Sequence, residues 1–177
     1  MAAYKIYLGN PHGLEYEWKE LEKAVVELFT PAIAKSRQYE SVEAHETKIA
    51  PTLGPAELLV YVVANQFRSV LRSKLDIAPH VDAGGFTAWF DNERKDSGVG
   101  SEVYVAHTSP PYLAKLIFHE ALHNKLRKDD RLHRHQGGLA AAGVGEATPA
   151  TKDNYSLMAG AIEKHVRQWL GGFASRK

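Results

Sequence analysis

Ser109-Pro110-Pro111-Tyr112-Leu113-Ala114-Lys115-Leu116-Ile117-Phe118-His119-Glu120-Ala121-Leu122-His123 is the stretch around which the rest of the chain is arranged. A serine followed by two prolines opens a helix well, because the hydroxyl caps free N–H groups and proline fits the first turn. His119 and His123 are one turn apart and share a helix face, with Cβ atoms about 5–6 Å apart. Two imidazoles at that separation can bind one metal ion. Glu120 lies about 100° round the helix from His119, so its carboxylate reaches a water beside the metal instead of the metal itself.

Working outward, Glu102-Val103-Tyr104-Val105-Ala106 and Gly85-Phe86-Thr87-Ala88-Trp89-Phe90 read as strands, with Asp91–Gly100 as an exposed hairpin loop between them. Glu57–Ala64 is a short β-branched apolar run, the mark of a buried strand, although a helical reading through Phe67, Val70 and Leu71 also fits. Tyr4–Leu8 alternates as a first strand, and Asn10–Gly13 is a turn. Leu14–Phe29 carries Leu14, Leu21, Val25, Leu28 and Phe29 at helical spacing, ending before Pro31. Residues 32–54 are polar and weakly patterned, and read as irregular. Beyond the histidines, His133–Gly145 is a glycine- and alanine-rich loop. A last helix is expected over Lys152–Leu170, with Tyr155, Met158, Ile162, Val166 and Trp169 on one stripe and Gly171-Gly172 ending it.

Composition narrows the chemistry. At 177 residues, with no repeat or linker, the expectation is one domain. Its 22 Lys+Arg against 21 Asp+Glu give a formal charge of +1, which favours neither a nucleic-acid nor a membrane partner. Zero cysteines exclude disulfides, thiolate catalysis and thiolate-bound metals. A transition metal would have to be held by His, Asp, Glu or water. The N-terminal residues do not form a signal peptide and no apolar run reaches a membrane span, so the expected location is cytoplasmic, with signal-independent export as the other possibility.

His119-Glu120-Ala121-Leu122-His123 has the form HExxH, and after this series of strands it resembles the zincins, the HExxH zinc metallopeptidase superfamily. The resemblance implies a zincin-like α+β fold, a small mixed sheet packed on helices with the HExxH helix central. On that reading residues 1–128 carry the sheet and the active-site helix, and residues 129–177 carry a metal-completing loop and the C-terminal helix. It implies Zn2+ as cofactor, with His119 and His123 as ligands and Glu120 as general base. It also implies a peptide or protein substrate, paired along the sheet edge, a place the resemblance gives to the Glu102–Ala106 strand.

The third ligand has several candidates. In metzincins the motif continues as HExxHxxGxxH; here Leu126 replaces the glycine and Asp129 stands where the third histidine would be. If the helix continues, Asp129 lies about 9 Å along the axis and some 240° round from His123, facing away. His133 fits better. With the helix ending near Lys128, the chain can extend ~16 Å towards it, whereas the metal lies about 7–8 Å back. His135 is a neighbouring candidate, and Glu163 is another, since gluzincins take a glutamate from a later helix. Asn154–Met158 resembles the methionine turn of metzincins, with core packing as the simpler reading of Met158. Tyr155 is a candidate oxyanion donor, and His107 and His165 are candidate polar groups near the cleft. Lys125, Arg127, Lys128, Arg131 and Arg134 form a basic cluster best read as a solvated face. Two other readings fit the same motif: a zinc amidase acting on cell-wall peptide as a toxin domain, and a catalytically silent metal-binding module.

Overall fold

The computed structural model describes residues 2–54, 56–79, 83–90, 97–106, 108–127, 130–134 and 137–173. Strand β1 (Ala2–Gly9) forms as its alternation predicts, burying Tyr4, Ile6 and Leu8 on one face. Helix α1 (Trp18–Ile33) buries Leu21, Val25, Phe29, Ala32 and Ile33, and runs through Pro31 instead of ending before it. Strand β2 (Tyr39–Thr47) occupies part of the segment read from sequence as irregular. Only Val42 and Ala44 are buried there, and the alternating Ser41, Glu43 and His45 are exposed, so the strand carries little apolar signal.

Strand β3 (Leu58–Val63) is buried along its whole length, as a strand covered on both faces must be. It does not continue as a helix; a short turn leads instead to a separate helix α2 (Val70–Leu75). Strands β4 (Gly85–Phe90) and β5 (Gly98–Tyr104) follow. The expected loop at residues 91–100 is shorter, because Gly98–Gly100 already belong to β5; residues 91–96 lie outside the described residues.

The five strands lie in the order β2-β1-β3-β5-β4. All neighbours are parallel except β4, which runs antiparallel to β5. This corrects one expectation: the strand near Glu102–Ala106 is internal, and β4 forms the sheet edge. The expectation comes from the resemblance, which rests on a local motif, whereas partner order in a sheet is set by long-range packing.

Helix α3 (Pro110–Leu126) packs on α1 and against β4 and β5. Nearly every residue from Leu113 to Lys125 is buried, polar groups included, which is why the helix lacks a solvent-facing stripe. Ser109 Oγ accepts the Tyr112 N–H at its start. It stops at Leu126, two residues before the expected end, with Arg127 in the left-handed region at φ 49°.

Helix α4 (Lys152–Ile162) is shorter than the predicted Lys152–Leu170. The apolar spacing does continue, but its members divide between the two faces of the sheet. Met158 and Ile162 join the core beneath α1 and α3, whereas Trp169 joins Leu59, Tyr61, Phe90 and Tyr104 on the other face. Trp169 stacks on Phe90 at 4.6 Å, and its main-chain N–H donates to Val99 O at 2.9 Å. A continuous helix could not place both sets. Among the described residues no helix is long and apolar enough to cross a membrane.

Candidate metal centre

Helix α3 presents His119 and His123 from one face, as their spacing requires, and a short 3-10 turn at Asp130–Arg134 brings His133 to them. The three Nε2 atoms lie 3.2 Å (His119–His123), 3.0 Å (His123–His133) and 3.3 Å (His119–His133) apart. For a tetrahedral zinc with Zn–N of about 2.0–2.1 Å the nitrogens would be separated by roughly 3.3 Å. The cluster could therefore hold a metal ion.

The donor chemistry agrees with the spacing. His119 Nδ1 donates to Leu139 O at 2.8 Å, which leaves the Nε2 lone pair facing its neighbours. Burial, reinforced by His123 and His133, lowers the His119 pKa to about 4, so the ring is neutral at pH 7 and able to coordinate. The Leu139 carbonyl is itself held in place. Leu139 N donates to Asn154 Oδ1 at 2.8 Å, and Asn154 also closes the capping box of α4 with Thr151. The loop after the third histidine is thus pinned to the start of the last helix.

Glu120 points from α3 towards β4. Thr87 Oγ1 donates to Glu120 Oε2 at 2.5 Å, and Gly85 lies so close that a Cβ there would sit 2.7 Å from Glu120 Cγ. Burial pushes the carboxyl up to about 8, with the Thr87 hydrogen bond opposing and Glu102 adding to the rise. A dication beside it would favour the ionised form.

Histidines and carboxylate line one cleft of about 550 Å³. Gly84, Gly85, Phe86, Thr87 and Trp89 of the β4 side form one wall; Tyr112 and Leu116 of α3 and Ala142–Val144 form the others. The Tyr112 hydroxyl donates to Val144 O at 3.0 Å, fastening the loop wall to the helix.

The remaining candidates fall elsewhere. Glu163 accepts from Arg37 N at 2.9 Å and Ser36 Oγ at 3.2 Å, tying the end of α4 to the chain after α1, and does not join the cluster. Asp129, His135 and His107 lie outside the described residues, as does Lys128. Met158 is fully buried in the core, and Tyr155 packs edge-on against Phe118 at 6.1 Å. His165 is exposed in the turn after α4. Lys125 leaves the supposed basic cluster altogether: it is buried, and Nζ donates to Ala56 O at 2.9 Å and Glu57 O at 2.8 Å. Sequence reasoning does not find Thr87, because nothing local marks one threonine in a strand as the partner of a carboxylate 33 residues away. No family model, curated protein or solved structure matches the chain.

Proposed function

We propose that this protein is a small zinc-dependent peptidase with a zincin-like arrangement, in which His119, His123 and His133 hold the metal and Glu120 is the general base. The observation that carries this reading is the convergence of three histidine Nε2 atoms within 3.0–3.3 Å beside a buried carboxylate, all lining one open cleft. Zinc bound there would supply Lewis acidity to a substrate carbonyl and acidity to a water.

The chain's own groups do the rest. Glu120 Oε2 is taken by Thr87, which leaves Oε1 to receive a proton from water and pass it to the leaving amine. Among the described residues only three ligands converge, and a catalytic zinc keeps its fourth position open where a structural one closes it. Strand β4 offers its outer backbone edge along the cleft, where an extended peptide can pair as an added strand.

The test joins metal content to turnover. Purified protein is expected to carry one zinc per chain and to hydrolyse members of a peptide panel, and Glu120→Gln is expected to retain the zinc while losing at least about 100-fold in kcat. Absence of stoichiometric zinc, or full activity in Glu120→Gln, would sink the proposal. Including cell-wall peptide fragments in the panel separates a peptidase from an amidase.

A further inference from the structure

Behind Glu120 runs a line of polar side chains that the reaction does not use directly: half-buried Thr87, then buried Ser101, Asn124 and Gln168. With Glu120 ionised, their hydrogens can be placed in only one order. Gln168 Nε2 donates to Val166 O at 3.1 Å, and Gln168 Oε1 accepts the Leu59 N–H at 3.4 Å. A carbonyl only accepts and an N–H only donates, so these two backbone groups fix which way the Gln168 amide faces.

That choice propagates. Gln168 Nε2 donates to Asn124 Oδ1 at 2.8 Å while Asn124 Nδ2 donates to Gln168 Oε1 at 3.1 Å, which fixes the second amide. Asn124 Nδ2 therefore donates to Ser101 Oγ at 2.9 Å. At the other end an ionised Glu120 only accepts, so Thr87 donates to it and in turn accepts the Ser101 hydrogen, 2.8 Å away. The single Thr87 hydrogen then goes to Glu120 Oε2 at 2.5 Å, in preference to the Glu120 main-chain oxygen at 3.4 Å. Ser101 and Asn124 are fully buried and Gln168 nearly so, so solvent does not reorder them.

We infer that Thr87 is a positioning residue which, at the end of a chain whose amides are set at Gln168, keeps Oε2 of the ionised Glu120 an acceptor and leaves proton transfer to Oε1. The inference rests on Glu120 being the general base. It also gives the segment after α4 a role, because its bridge to Val99 sets Gln168 at the anchored end of the line. The arrangement is a device for holding one carboxylate oxygen in place, built across β4, β5, α3 and the C-terminal segment.

The experiment uses full-length protein labelled with 13C-glutamate, in metal-free and zinc-loaded forms at one fixed pH. The Glu120 carboxyl resonance is identified by its loss in Glu120→Gln. Thr87→Val removes the hydroxyl at constant shape and is expected to move that resonance in both forms, while Thr87→Ser returns it towards the wild-type position. Zinc affinity, read by chelator competition, should stay within about threefold in Thr87→Val. On a hydrolysed peptide, kcat should fall about 10–100-fold with KM little changed, as for other groups that orient a reacting side chain. Should Thr87→Val prove unstable, Asn124→Asp serves instead: its carboxylate accepts from Ser101, turns that hydrogen away from Thr87, and should also move the resonance. An unmoved Glu120 resonance in whichever of these variants folds, or no recovery in Thr87→Ser, overturns the inference. A resonance that moves as expected in a protein without hydrolytic activity overturns the functional reading and leaves the hydrogen-bond order standing.

Discussion

At His119 a backbone carbonyl decides the chemistry of a side chain. Leu139 O takes the Nδ1 hydrogen, so the ring has one tautomer and one coordinating nitrogen. Gly85 shows the same dependence from the opposite wall of the cleft. Its missing side chain is the space that Glu120 fills. An added Cβ would lie 2.7 Å from Glu120 Cγ and Oε1 and 2.8 Å from Glu102 O, with backbone on one side and an occupied carboxylate on the other. Gly85→Ala should therefore displace Glu120 and strain β4, costing about 1–3 kcal/mol as overpacking does. Zinc binding should survive, since the atoms nearest the added methyl belong to none of the three histidines. Parallel measurement of urea unfolding, zinc stoichiometry and kcat checks this; an unchanged kcat would mean that the carboxylate does not need its present position.

The helices show how far local pattern carries and where it stops. Helix α3 is legible because its cap, its prolines and its histidine spacing are all local, and the arithmetic of reach favours His133 over Asp129. Strand β2 is not, because two buried side chains, Val42 and Ala44, are a faint alternation. The sequence pattern overstates the length of α4 because Trp169 keeps helical spacing while packing on the opposite sheet face. The partners of Glu120 depend on strand order, which no local signal encodes. The end of α3 has its own consequence. Arg127 is exposed yet sits at φ 49°, where a residue with a Cβ is strained and glycine is not. Arg127→Gly should relieve that strain, less the greater entropy glycine loses on folding, for a net gain of about 0.5–1 kcal/mol. Calorimetry should then show Tm rising by roughly 1–4 °C. A lower Tm would mean that the arginine side chain contributes more than its backbone conformation costs.

Across the whole molecule, the sheet is sealed by cores on both faces, and each core contains a buried tyrosine whose hydroxyl cannot ionise in place. Tyr4 lies in the core beneath α1, where burial, with Tyr39 and Glu57 adding, holds its pKa well above the usual value. Tyr61 and Tyr104 lie in the other core, raised chiefly by burial. Tyr61 donates to Trp169 O at 3.0 Å, and Tyr104 donates to Glu102 Oε1 at 2.8 Å while accepting from Arg72 Nε at 3.0 Å. In the unfolded chain all three titrate near pH 10, whereas in the folded chain they keep their protons to higher pH. The folded state thus binds more protons above about pH 10, and stability must fall as pH rises from there, while below about pH 10 these groups contribute no slope. Three retained protons correspond to a loss of up to about 4 kcal/mol per pH unit. Tyrosinate absorbance followed alongside circular dichroism provides the measurement. The three buried tyrosines among the eight should ionise only together with unfolding, and Tyr61→Phe should lower the slope by up to about 1.4 kcal/mol per pH unit. If all eight ionise while the far-ultraviolet signal remains native, water reaches these hydroxyls and the sheet is not sealed on both faces.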